Sequence, residues 1–131
     1  MPTPNFQCVG ENFMASKFVP GDDLVFQIES GYGLVRVLAV EGKGPEAVWH
    51  VLVYEDFYPE VESAEAALAS GVELMARIPH LALTDHAFEK TPVARLGNRP
   101  VREVELEAFH RWRESGGEVF DRSVLLMLGM R

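Results

Sequence analysis

The chain is poor in several things, and each shortage excludes a class. It has one cysteine, Cys8, in 131 residues. A single thiol closes no internal disulfide, so a disulfide scaffold is excluded and a reducing, cytoplasmic compartment is expected. No window approaches the ~20 consecutive apolar residues of a membrane span. Residues 1–18 lack a basic patch followed by an apolar run, so no secretory signal is expected there. There is no internal repeat and no low-complexity stretch. Histidine occurs four times, at His50, His80, His86 and His110, without the close pairing or neighbouring cysteines of a zinc site. No metal or cofactor is expected.

Basic charge is also scarce. Lys plus Arg is 12 against 20 Asp plus Glu, a net charge of −8. Residues 1–88 hold four basic and 13 acidic side chains, a net of 4 − 13 = −9; residues 89–131 hold 8 and 7, a net of 8 − 7 = +1. A surface of that sign repels phosphate backbones and anionic membranes, so neither nucleic acid nor membrane is expected as a partner. It favours capture of a basic protein. The plain alternative is that acidity serves solubility.

What is present is enough for a core. The apolar share is 47%, and 131 residues suit one domain. Residues 1–19, with Pro2, Pro4 and Gly10, read as an extended arm pinned by Phe6, Phe13, Met14 and Phe18. Pro20-Gly21-Asp22-Asp23 is a turn. Leu24 to Glu29, Leu34 to Glu41 and Ala47 to Tyr54 read as strands joined by the glycine-bearing connections Ser30–Gly33 and Gly42–Pro45. Short connections between strands require antiparallel pairing. The second strand is apolar on both faces apart from Arg36, which places it centrally. Ser63 is the expected N-cap of a helix over Ala64–Ala69 that Gly71 ends. Val72–Ile78 reads as extended and interrupted by Pro79. Leu81–Thr84 and Val93–Leu96 read as short strands on either side of Pro92. Val101–Glu114 is the clearest helix, with Pro100 in its first turn and Val101, Val104, Ala108, Phe109 and Trp112 on one stripe; Gly116-Gly117 stops it. Ser123–Leu128 is read as a closing strand. Together these predict an α+β fold: a small curved antiparallel sheet or partly open β-barrel with a C-terminal helix packed on it. Residues 1–131 form a single domain on this reading, with the arm at 1–19, a strand-rich body at 20–99, and the helix plus closing segment at 100–131.

No motif announces catalysis. Gly31-Tyr32-Gly33 and Gly42-Lys43-Gly44 precede no helix, so they are turns rather than phosphate cradles. No serine lies in a nucleophile elbow. Cys8 reads as a small buried hydrophobe. The segment that stands out runs from Tyr54 to Glu62, where three aromatics alternate with four carboxylates. Aromatic anchors rimmed by charge are how interfaces concentrate energy. Tyr54, Glu55, Asp56, Phe57, Tyr58 and Glu60 are therefore the expected binding residues, with Asp22 and Asp23 in support. The competing reading folds Phe57 and Tyr58 back into the core and leaves the acids to water.

The run Phe18-Val19-Pro20-Gly21-Asp22 through Tyr32-Gly33-Leu34-Val35-Arg36-Val37-Leu38, followed by Val51-Leu52-Val53-Tyr54-Glu55-Asp56-Phe57, resembles the immunity protein 26 type of domain over residues 18–58. The resemblance implies an antidote in a bacterial polymorphic-toxin system, which sits on a toxin and needs no catalytic group. The expectation is thus a non-enzymatic protein-binding module whose partner is a basic protein toxin. The alternative is a small-ligand domain or small enzyme with a pocket between the sheet and the C-terminal helix, furnished by Arg36, His50, His86 and His110. A third is an oligomeric scaffold built on an exposed strand edge.

Overall fold

The computed structural model describes residues 18–130. The expected arm therefore lies almost wholly outside the described residues, as do Cys8, Phe6, Phe13 and Met14. The elements are β1 (Asp22–Ile28), β2 (Gly31–Glu41), β3 (Val48–Tyr54), α1 (Val61–Ala69), β4 (Ala76–Thr84), α2 (Asp85–Glu89), β5 (Val93–Asn98), α3 (Glu107–Glu114) and α4 (Val124–Met127), with 3₁₀ turns at Gly44–Glu46 and Glu103–Leu106.

The five strands make one antiparallel sheet in the order β4-β3-β2-β1-β5, not closed into a barrel. The fold is α+β, and of the two expected architectures it is the open sheet. β1 to β4 form a meander, and β5 returns to the far edge beside β1. Gly31 and Gly33, both within the sheet, permit close approaches. A Cβ on Gly31 would collide with the Tyr58 carbonyl, and one on Gly33 with the Phe26 ring.

Alternation sends the strand side chains to two faces, and both faces are covered. Leu24, Phe26, Val35, Val37, Trp49, Val51, Val53, Leu81 and Leu83 meet Ala87 and Phe88 of α2 and Val124 and Leu128 at α4. Val25, Leu34, Leu38, Leu52 and Tyr54 meet Ala64 and Leu68 of α1 and the segment carrying Val101 and Leu106. Two-sided burial explains why β2 is apolar on both faces. Leu24, Phe26 and Leu34 are essentially inaccessible, and each such side chain contributes roughly 1.5–3 kcal/mol.

Several expectations need correction. β4 runs through Pro79 because it is an edge strand. Ile78 pairs with Val53 and Leu81 with Val51, so one extra residue bulges out at Pro79-His80; an edge bulge tolerates a missing N–H. Leu81–Thr84 is the second half of this strand, and residues 71–75 before it are irregular. α1 begins at Val61 with Glu60 in the capping position, not at Ser63. Pro100 precedes the C-terminal helix, which opens as a 3₁₀ turn at Glu103. The tighter 3₁₀ winding shifts the phase of the apolar stripe, so Val104 points outward at 54% exposure while Phe109 is buried. Residues 124–127 are helix, not strand: the Ser123 hydroxyl caps them by accepting the Leu126 N–H at 3.3 Å. α2 was not anticipated. The Thr84 hydroxyl caps it through the Ala87 N–H at 3.1 Å, and Phe88 stacks on Trp49 with centroids 4.3 Å apart.

Candidate functional site

The chain leaves β3 at Tyr54 and crosses one end of the sheet before entering α1. Tyr58 is tied to Tyr32 by two backbone hydrogen bonds of 2.7 and 2.8 Å, which fixes the loop against the β1–β2 hairpin. The expected binding residues then divide. Tyr54 is buried at 5% exposure, and its hydroxyl accepts from Arg99 Nη2 at 3.0 Å. Burial, aided by the Asp23 charge, raises its pKa. Tyr58 is half-buried against the same core, and burial followed by the Asp56 charge raises its pKa as well. Glu55, Asp56, Phe57 and Glu60 are exposed. So are Glu62 and Glu65 on α1, and none of these five carboxylates makes an ion pair with a described residue. Residues 55–76 contain six acidic side chains and no lysine or arginine.

Asp22 and Asp23 do not join this surface. They are 0% and 1% exposed. Asp22 accepts the Val19 N–H at 2.9 Å and the Asn98 side-chain amide at 2.8 Å. Asp23 accepts Arg99 Nε at 2.8 Å and lies 3.4 Å from Arg36 Nη1. They were expected to support the binding surface; instead their partners are Val19 before β1, Arg36 on β2, Asn98 at the end of β5 and Arg99 just after it.

Arg36 is the centre of that network and is 1% exposed. Its Nε donates to Glu105 at 2.7 Å, Nη1 to Gly21 O at 2.8 Å and to Asp23, and Nη2 to Arg99 O, Pro100 O and Glu105 at 3.0, 3.1 and 3.2 Å. All five N–H groups are therefore used, and none remains for a ligand. Burial pushes the Glu105 carboxyl upward, but the Arg36 and Arg102 hydrogen bonds and charges outweigh it and hold the pKa below the usual value. The hydrogen bond to Asp23 is the largest of the interactions that raise the Arg99 pKa.

His50 is 0% exposed on the same face. Its Nε2 lies 2.7 Å from Glu41 Oε1 and its Nδ1 2.9 Å from His80 Nε2. Since a carboxylate only accepts, the network assigns the proton to His50 Nε2, and His80 Nε2–H donates to His50 Nδ1. Phe109 and Trp112 of α3 pack edge-on to His50 at 4.6 and 4.7 Å. Arg113 pairs with Glu41 and covers the Phe109 ring at 4.8 Å. Burial lowers the pKa of both histidines, His80 to about 4. The arrangement clamps α3 to β3 and β4. Among the described residues no nucleophile hydrogen-bonds to it, and no three His, Cys, Asp or Glu side chains are placed to hold a metal ion.

The four groups assigned to a pocket do not converge. Arg36 and His50 are saturated, while His86 and His110 are exposed, the latter 3.7 Å from Glu103. A groove of about 740 Å³ does lie between the sheet and the C-terminal segment, and none of the four lines it. Its charged neighbours are mostly paired: Arg99 with Asp23, and Arg102 with Glu73 and Glu105. Sequence reasoning missed Arg99 and the Glu41–His50–His80 chain. The available signal was a histidine and an arginine on inward positions of otherwise apolar strands.

No helix among the described residues is long and apolar enough to cross a membrane. No protein-family model, curated protein or solved structure matches the chain.

Proposed function

We propose that this chain is a non-enzymatic protein-binding module that captures a basic protein through Glu55, Asp56, Phe57 and Glu60, extended by Glu62 and Glu65 on α1. One observation carries the reading. The groups best able to do chemistry, Arg36 and His50, spend their hydrogen-bonding capacity on internal partners, whereas the carboxylates of residues 55–65 are exposed and have no counter-charge among the described residues. Unpaired like charges at one end of a sheet create a field that speeds encounter with an opposite charge. Phe57, at 36% exposure, supplies an aromatic contact within that field. The specific form implied by the resemblance over residues 18–58 is an immunity protein, acting in the cytoplasm on a basic toxin.

The test uses the product of any toxin-bearing reading frame adjacent to the gene. The double substitution Glu55→Lys/Asp56→Lys slows association several-fold at low salt and flattens its salt dependence, read by stopped-flow fluorescence. An unchanged association rate refutes the site.

A further inference from the structure

Resting on that reading, we infer that the apolar anchor of the contact is the groove between residues 71–76 and the 3₁₀ turn at Glu103–Leu106, and that its occupant is a basic protein segment with apolar side chains set between lysines or arginines. Val72, Met75 and Val104 are 68%, 72% and 54% exposed, the three highest values among the exposed large apolar residues described. All three line this one groove, whose floor includes Leu52, Tyr54 and Ala108. Their exposure has a local cause. Gly71, at φ +79°, ends α1, and the irregular stretch that follows inserts only Leu74 into the core. Val72 and Met75 are left outside, in neither core cluster of the described residues. Exposed apolar residues gathered around one concavity mark a protein contact.

The neighbouring charge selects the occupant. The Glu55 N–H donates to the Met75 carbonyl at 2.9 Å, so the acidic stretch and the apolar wall are continuous. The arginines near the opposite wall do not offset this field: Arg99 and Arg102 are already paired with Asp23, Glu73 and Glu105. Arg111 and Glu107 both line the groove and make no ion pair among the described residues, so their opposite charges leave no net excess there. A segment leaving the groove past Met75 therefore meets Glu55, the first of the carboxylates that have no ion pair among the described residues. A second copy of this chain, at net charge −8, would bring like charge to that ridge.

The test is an NMR titration of the isotope-labelled full chain with three short peptides. One is amphipathic with leucine and lysine, one has the same leucines with glutamate, and one has the same lysines with serine. The leucine–lysine peptide is expected to bind tightest and to shift the amides of Val72–Met75, Val104 and Ala108. Val72→Ser/Met75→Ser should weaken it by about tenfold or more with its salt slope unchanged, while circular dichroism shows the fold intact. Shifts confined to residues 55–65, or unchanged affinity in that double variant, overturn the groove and leave the basic-partner reading standing. Equal binding of the glutamate peptide overturns both, and no binding of any peptide overturns the groove while leaving the basic-partner reading to the association-rate test. Self-association abolished by the same substitutions, seen by light scattering, makes a second copy the occupant and overturns the inference.

Discussion

Replacing Arg36 with methionine removes a buried charge while keeping much of the side-chain volume. The change strands the carbonyls of Arg99 and Pro100, leaves the Gly21 carbonyl with only the Arg99 N–H at 3.0 Å, and withdraws a counter-charge from Asp23 and Glu105. An orphaned buried acceptor costs about 1–3 kcal/mol, and breaking a buried ion pair about 3–5 kcal/mol. The costs do not add fully. Asp23 keeps Arg99, and Glu105 keeps the Arg102 N–H at 2.8 Å. The expected loss is therefore about 3–5 kcal/mol, a large part of the ~5–15 kcal/mol that holds a typical domain together. Urea unfolding followed by tryptophan fluorescence reads it as a lower midpoint with unchanged slope. Arg36→Lys should rescue little, since an ammonium cannot fork to Glu105 and reach three carbonyls together. Adding Glu105→Gln to Arg36→Met should recover part of the loss by removing the uncompensated carboxylate. A loss below about 1 kcal/mol would mean that the network behaves like a surface ion pair, and the account of Arg36 would be wrong.

Asp85→Ala leaves the buried Trp49 indole N–H, now bonded to Asp85 at 3.0 Å, without a partner; chemical denaturation should show a loss of about 1–3 kcal/mol. His50 and His80 have lowered pKa values in the fold, His80 about 4, so the unfolded chain binds more protons between that value and the ordinary 6.5. Their stabilisation is complete above 6.5 and is lost as pH falls toward 4. Thermal melts at pH 7, 6, 5 and 4.5 should show a falling midpoint, and His80→Gln should flatten the trend; a flat profile in the native chain contradicts the clamp. Glu55→Lys/Asp56→Lys changes net charge from −8 to −8 + 4 = −4, yet unfolding stability should stay within about 0.5 kcal/mol because neither carboxylate is paired. A larger loss in that variant would reveal a structural role for the loop.

The chain's local patterns determined a good deal by themselves. Alternation in Leu24–Ile28, two-sided apolarity in Leu34–Glu41 and the short glycine-bearing connections sufficed for an antiparallel meander with β2 inside it. Gly71 and Gly116-Gly117 marked where α1 and α3 stop, at positive φ. The exposure of the carboxylates of residues 55–65 was also legible, because both readings of that segment left its acids at the surface. Helices of five and four residues, α2 and α4, lay below the reach of periodicity, and only their caps, Thr84 and Ser123, carried a sign of them. The bulge at Pro79 depends on β4 being an edge, a property of strand order rather than of neighbours in the chain. Asp22, Asp23, Arg36, His50 and the groove were decided by tertiary structure alone. Arg36 meets Glu105 across 69 positions, Asp23 meets Arg99 across 76, and His50 meets His80 across 30. Pairing of charges depends on distance through space, and a linear pattern records only distance along the chain.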